Sequence, residues 1–439
     1  MTRRIRLIIF LFLLVLFLIA APLTVLYCLG WRFDWEAKKI SQPGALYFKV
    51  VPKNVEIYLN GKFEEKTDFF FGSALIENLF PGKYEVEIKK EGFNNWKKVL
   101  QVKEREVTEA KNIVLIPKDP KFNLLSKGVE DFFFSPDGKK IILKEKSGNG
   151  WSLKLFEIEK NLKSHLIDEK TISRTGVELI SLKFSPDSKK ILLELGLKEN
   201  INSYLLDLQA TPPTPTLVDL NPAEKIYFNS EAPQGLAVIE ENAIAWIATS
   251  KDIYYLDKDG FLFKANFSLN RRDRLNIIPF NMKQETEYQI IPVNSKVLLK
   301  ENDALYFFDE NKKSFEKISD SIESFRTSFD FKKLAYFNNY EILTLFLEKI
   351  WDQPQKEAGD KTFLTRFSEK IGDVFWLNNY YLIFNVENKI KVAEIDDRDR
   401  INIVDLAEFK EPKLFWNQNA KKLYILSEQN LYVSGELTP

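Results

Sequence analysis

The chain carries few residues able to do chemistry. Its 439 residues include one histidine, His165, and one cysteine, Cys28. A single cysteine excludes an intrachain disulfide and any cysteine-based zinc site, and a single histidine removes most metal and acid–base designs. His165 sits in the polar stretch 161–170 with no serine or cysteine nucleophile motif nearby, so it is expected to be a solvated loop residue. Carboxylates are plentiful. Asp257-x-Asp259-Gly260 and the run 396–399 bring carboxylates together as calcium loops do. An EF-type loop needs a longer ligand set ending in a bidentate glutamate, which neither stretch supplies, so both are expected to be hairpin turns. No glycine-rich phosphate loop precedes a helix, and no G-x-S-x-G occurs. A glycosidase-type carboxylate pair can still be assembled from distant parts of a chain, and sequence order does not reveal which residues converge. No residue is therefore given a catalytic, metal-binding or cofactor-binding role, no cofactor is expected, and the binding residues are left open.

The elements that must position any site are dominated by one repeated unit. Residues 132–143 (FFFSPDGKKIIL) read as an apolar strand, a tight turn, two lysines and a second apolar strand. The pattern returns at 184–193 (FSPDSKKILL), and in worn form at 328–336 (SFDFKKLAY) and 416–426 (WNQNAKKLYIL). Aligned units give anchors at Phe134, Phe184, Ile239, Ile291, Thr327, Trp376 and Trp416, spaced by 50, 55, 52, 36, 49 and 40 residues. Four-stranded propeller blades take about 40–50 residues each. The expected fold is therefore all-β, with a β-propeller of about seven four-stranded blades over 120–439. The least periodic part is 221–267, where the blade count is least secure. The later half of each unit repeats too, as at 151–158, 203–208, 304–309, 390–395 and 430–433. The last unit has room for three strands, so segment 114–125 is expected to supply the missing outer strand and close the ring without a free edge. In the turn, Pro136 presets φ, Asp137 bonds local backbone and Gly138 accepts positive φ. Asp137 and Asp187 are accordingly read as turn residues. Segment 211–216 (TPPTPT) reads as a stiff connector and 271–274 (RRDR) as a solvated turn.

Ahead of the repeats lie two smaller parts. Residues 7–29 are nearly all apolar and uncharged, long enough to span a bilayer as a helix. Arg3, Arg4 and Arg6 precede them and favour a cytoplasmic tip, residues 1–6, with the remaining domains outside the membrane. Trp31 and Trp35 follow, in the linker 30–43, where aromatic rings favour headgroups. A cleaved signal peptide is the alternative, set against Pro22 beside Ala20 and Ala21; lipidation of Cys28 is disfavoured by Tyr27. Residues 44–117 then alternate as short strands, with Asn60 and Gly61 as a hairpin turn, and read as a small antiparallel β-sandwich. Three consecutive aromatics, Phe69, Phe70 and Phe71, are expected to pack into a core or domain interface, with an exposed partner patch as the alternative.

The motif order Pro52-x-x-Val55-x-Ile57-x-Leu59-Asn60-Gly61, Leu79-x-Pro81-Gly82-x-Tyr84-x-Val86 and Gly92-Phe93-x-x-Trp96 resembles the PEGA domain. Asn54 stands at that family's glycine, and Glu65, Lys66, Thr67 and Asp68 replace its Gly-x-Thr-Pro turn. The SPDG-Lys-Lys hairpins resemble the TolB-like and WD-like propeller repeat of bacterial envelope proteins. These resemblances imply a bacterial surface protein in which the motif residues are structural. Equal numbers of basic and acidic residues, 63 each, argue against a nucleic-acid partner. The expected protein is a single-pass, membrane-anchored scaffold without enzymatic activity. Its expected partners are the bilayer, through 7–29, and another envelope protein or surface polymer. An envelope hydrolase with its site in the propeller channel is the alternative, and a sensor is a third reading that leaves little cytoplasmic chain for output.

Overall fold

The computed structural model describes residues 3–35, 38–148, 150–172, 176–197, 200–210, 212–218, 225–228, 236–239, 243–249, 252–294 and 296–437. Helix α1 (Arg3–Cys28) is about 39 Å long at 1.5 Å per residue, more than the bilayer core of about 30 Å. From Ile5 to Cys28 its side chains are exposed, apart from the half-buried Ala21, and no described residue packs over its apolar length. Gly30 ends it at φ +84°, with Trp31 N–H donating to the Leu26 carbonyl at 2.9 Å. This left-handed exit is one that glycine adopts without strain.

A short hairpin follows, β1 (Arg32–Asp34) with β2 (Lys39–Ser41). The next seven strands are β3 (Gly44–Val51), β4 (Glu56–Leu59), β5 (Lys62–Lys66), β6 (Ser73–Leu79), β7 (Gly82–Lys89), β8 (Trp96–Val102) and β9 (Val107–Val114). They form a sandwich of two sheets, ordered β6-β3-β9 and β5-β4-β7-β8. Leu46, Phe48 and Val50 of β3 meet Ile57, Leu59, Val86, Ile88 and Leu100 in one core. Alternation along each strand puts these side chains on the inner faces. One pairing departs from the expected antiparallel sandwich: β3 and β9 run parallel. The chain crosses from one sheet to the other after β8, so β9 lies beside β3 pointing the same way.

The remaining described residues form seven four-stranded antiparallel sheets and one two-stranded pair. The blades span 129–168, 178–218, 243–274, 288–319, 324–366 and 371–408, and the seventh combines 413–434 with Phe122–Lys127. Phe122–Lys127 pairs with Asn430–Ser434, so an N-terminal strand completes the C-terminal sheet. First strands of successive blades touch: Ala243–Ala248 meets Tyr288–Val293, and Ile371–Asn378 meets both Ser324–Thr327 and Lys413–Asn417. They form the inner wall, and large side chains fill the wedges between blades, among them Trp376, Phe384 and Tyr424. A blade alone leaves both faces of its sheet wet, so burial is achieved by neighbours.

Six of the seven anchor residues lie on a blade's first strand. Ile239 does not: it ends an additional two-stranded pair, Lys225–Phe228 with Leu236–Ile239, and the third blade begins at Ala243–Ala248. Two apolar runs only a few residues apart look alike to a periodicity argument. Three polar stretches read as loops prove to be, or to end in, outer strands. His165 lies on Leu162–Asp168, Arg272–Arg274 is the edge of the third blade, and Thr216–Val218 continues from the proline-rich connector, of which Thr211 lies outside the described residues. An outer strand has one wet edge and tolerates the polarity that made each look like a turn.

The repeated turn is a small hydrogen-bonded machine. Ser135 Oγ donates to Asp137 at 2.6 Å and accepts from Lys140 N–H at 2.9 Å, while Asp137 accepts from Lys139 N–H at 3.0 Å. The same set recurs at Ser185, Asp187, Lys189 and Lys190, and at Ser328, Asp330, Lys332 and Lys333. Turns also bond across blades. Asp137 N–H donates to Ser188 Oγ at 3.3 Å, Asn417 donates to the Gly138 carbonyl at 2.7 Å, and Asp330 N–H donates to Asn379 at 3.1 Å. The glycine position has φ +69° at Gly138, +58° at Ser188 and +56° at Phe331. A bulky residue in that region is strained. Phe331→Gly should therefore stabilise the propeller by about 0.5–1 kcal/mol, seen as a higher denaturant midpoint at unchanged slope.

Candidate functional site

Three places gather polar or exposed groups in a way the fold alone does not require. The first is the seam between sandwich and propeller. Trp96, Lys98, Leu100 and Val102 occupy the inward face of β8, but Trp96 and Lys98 reach past the sandwich core. Lys98 Nζ lies 2.7 Å from Glu394 and donates to the Asp396 carbonyl at 2.5 Å. Glu394 also accepts from Trp96 Nε1 at 2.7 Å and from Asn402 Nδ2 at 2.7 Å. Both charged side chains are shut off from solvent. Burial pushes the Glu394 carboxyl above its ordinary range despite the pull of Lys98. Burial pushes Asp396 the same way, but Arg398, at 2.6 Å, and Lys98 outweigh it and hold that carboxyl low.

The loop around these groups, after Lys389–Glu394 of the sixth blade, works as a clasp. Arg398 Nη1 donates to the Glu109 carbonyl at 2.7 Å, and Asp399 accepts from Val99 N–H at 2.9 Å. Gln353 accepts from Glu109 N–H at 3.0 Å and donates to the Val107 carbonyl at 3.1 Å. Tyr381 Oη accepts from Val114 N–H at 3.0 Å. The acidic run 396–399 is thus a domain joint, with Asp397 taking Lys356 at 2.5 Å. A crevice of about 50 Å³ remains beside it, lined by Trp96, Ile113, Phe346, Ile350 and Tyr380.

The second place is the propeller axis. Asp131, Arg326, Asp373 and Lys413 come from the first strands of the first, fifth, sixth and seventh blades. Lys413 lies 2.5 Å from Asp131, Asp373 accepts from Leu414 N–H at 2.7 Å, and Arg326 covers the Phe375 ring at 5.1 Å. Burial raises the Asp373 carboxyl and lowers the Arg326 guanidinium. Phe134 and Phe415 stack beside them, centroids 3.9 Å apart. The other carboxylate motif is a turn: Asp257 accepts from Asp259 and Phe261 N–H at 3.0 and 2.7 Å. His165 is exposed, 3.4 Å from Asp168.

The third place is the turn between β5 and β6, and it overturns the expected burial of its aromatics. Phe69, Phe70 and Phe71 are 75%, 74% and 74% exposed. Asp68 holds the turn from inside. One of its carboxylate oxygens accepts from Phe70 and Phe71 N–H at 2.9 and 2.5 Å, and the other from Ser73 N–H and Oγ at 2.7 and 2.6 Å. Lys53 Nζ donates to the Phe70 carbonyl at 2.6 Å. Gly72, at φ +70°, lets the turn close against β3, since a Cβ there would lie 2.5 Å from the Val50 carbonyl. Polar demand is met within the turn, which leaves the rings facing out. Sequence reasoning missed this because three phenylalanines score as core; Asp68, five residues before Ser73, was the available sign of a capped turn.

These geometries make two testable statements. Lys98→Ala leaves Glu394 buried without its cation and should cost about 3–5 kcal/mol in thermal or denaturant unfolding, whereas Lys98→Met with Glu394→Leu should recover most of it. The bonds from Ser73 and Phe71 hold the Asp68 carboxyl well below its ordinary value. The turn should therefore keep its protection at pH 7 and through about pH 3.9, losing it only as pH falls toward the lowered folded value. Amide exchange at Phe70, Phe71 and Ser73 reports this, and Asp68→Asn should abolish the protection at pH 7.

Comparison with known proteins adds a family for one part of the chain. Residues 44–115 match the PEGA domain. No curated protein matches the chain. Among solved structures, the β-propeller domain of Myceliophteria thermophila Cps50 (Swd1) aligns at 11% identity and TM-score 0.41, over 71% of this chain and 97% of that one. An oligogalacturonate lyase in complex with manganese aligns at 12% and 0.46, over 73% and 93%. A chain of the mitotic checkpoint complex aligns at 9% and 0.44, over 73% and 92%. Residues 44–115 are thus a PEGA domain, preceded by an apolar helix able to cross a bilayer and followed by a β-propeller of four-stranded blades.

Proposed function

We propose that this is a non-enzymatic scaffold of the cell envelope, held by α1 as a single-pass anchor with its N-terminus cytoplasmic. The PEGA domain and propeller, joined rigidly through Lys98 and Glu394, present a fixed surface to another envelope protein or a surface polymer. The observation that carries this reading is the turn at Phe69, Phe70 and Phe71. Three large rings are exposed on a backbone that is already fully braced, so little ordering cost remains for a partner to meet. Aromatic side chains presented in this way are the usual energetic centres of interfaces.

A second reading rests on one observation, the raised Asp373 carboxyl beside Arg326 at the axis, which is the arrangement a channel hydrolase would use. One experiment separates the two. The full chain with a photo-crosslinking residue at Phe70 is irradiated in native membranes, and the soluble products of envelope glycans and peptides are followed in parallel. The scaffold reading expects one dominant adduct, weakened at least tenfold by Phe69→Ser with Phe71→Ser, and no turnover. Glycan or peptide cleavage that Asp373→Asn abolishes, without an adduct, would establish the hydrolase instead.

A further inference from the structure

We propose that the β1–β2 hairpin is a second membrane contact, an interfacial foot seated in the headgroup layer of the leaflet from which α1 emerges. The inference rests on the reading of α1 as a bilayer-spanning anchor and goes beyond it, because it fixes how the exposed domains stand on the membrane. The hairpin pairs Arg32 with Ser41, Phe33 with Ile40 and Asp34 with Lys39. Directly opposed residues share a face and alternate residues change face. One face therefore carries Phe33 and Ile40, with Trp35 two residues beyond Phe33. The other carries Arg32, Asp34, Lys39 and Ser41, of which Asp34 and Ser41 are buried, Arg32 is half-buried and the Lys39 side chain reaches solvent. The hairpin thus turns its polar side toward the protein and its apolar side outward, the reverse of a surface hairpin in water. Trp35 is 82% exposed, and its ring meets Phe33 edge-on at 4.7 Å.

The bilayer is the occupant that the surroundings select. The hairpin starts four residues after α1 ends at Cys28 and is tied to the end of that helix. Gln42 Nε2 donates to the Leu29 carbonyl at 3.0 Å, and Arg32 Nη1 donates to the Tyr27 carbonyl at 2.7 Å with its guanidinium 3.7 Å from the Tyr27 ring. A face held against the exit point of a spanning helix reaches the interface before it reaches any other molecule. Its chemistry matches that layer: aromatic rings that favour the headgroup region, beside the exposed cation Lys38 that favours anionic lipid.

The test uses the full chain in vesicles of phosphatidylcholine with phosphatidylglycerol, carrying Cys28→Ser and one new cysteine at a time bearing an environment-sensitive fluorophore. Ile40→Cys reports the foot, Leu16→Cys the middle of α1, and Lys62→Cys, on the exposed strand β5, the water-facing sandwich. The expected result is blue-shifted emission at 40, quenched at least twofold by a spin label near the headgroups and little by aqueous iodide. At 16, only a deep spin label should quench. Adding Phe33→Ser and Trp35→Ser should move the label at 40 toward the aqueous behaviour seen at 62. Deep quenching at 16 with a water-exposed label at 40 would overturn the foot and leave the anchor standing. A label at 40 shielded from iodide and lipid quenchers alike would mean that protein covers the face, which also overturns it. Loss of quenching at 16 would remove the anchor, and the foot with it.

Discussion

The propeller depends on the pairing of two strands from opposite ends of its sequence. Phe122–Lys127 bonds to Asn430–Ser434, which gives the seventh sheet its outer strand and joins the end of the ring to its beginning. Without it the last blade would expose a free edge, and the wedge between the last and first blades would lose its frame. That wedge is well filled: Val129, Phe132, Ile141 and Leu143 of the first blade meet Tyr424, Leu426 and Leu431 of the seventh. The repeated Ser–Asp–Lys turns add a girdle at one rim, where each braces its own strand pair and several bond to the next blade. Closure and girdle together make a stiff ring from sheets that are individually weak.

Stiffness passes to the PEGA domain through a buried ion pair set among the apolar contacts of the seam. Such pairs add little net stability, because desolvating both charges offsets most of their attraction. They do fix geometry, since a misplaced partner leaves a charge buried alone. At this seam Lys98, Glu394, Trp96 and Asn402 satisfy one another, and main-chain bonds to Gln353, Arg398 and Asp399 hold the edges of β8 and β9. The two domains therefore meet in one orientation.

Much of this architecture was legible because it rests on local rules. The turn residues Ser135, Asp137 and Gly138 act within a few positions of one another, and so do Asn60 and Gly61, so their roles can be read from spacing. That a closing strand exists was legible from a shortfall, since the last unit lacks a partner, but its bounds were not: it spans Phe122–Lys127, whereas Val114, at the start of the expected segment 114–125, ends β9. The clasp was not, because Asp396 and Arg398 look like any acidic turn until Lys98 and Glu109, almost 300 residues away in sequence, are beside them. Hydrophobicity alone also misplaced Phe69, Phe70 and Phe71, which a single carboxylate, Asp68, turns outward. Ile239 was misassigned for a related reason: two adjacent apolar runs carry no mark of which one faces the axis.

The closing strand also sets a clock. Phe122–Lys127 leaves the ribosome some 300 residues before Asn430–Ser434, the segment it must bond to. At about 5–20 residues per second that interval is roughly 15 to 60 s. During it the PEGA domain can complete its own core, whereas the propeller has one wet sheet edge for every blade made and no means of closing the circle. Biogenesis is therefore split into an early, self-sufficient event and a late, all-or-none one. In that window, unpaired strand edges invite association with other chains.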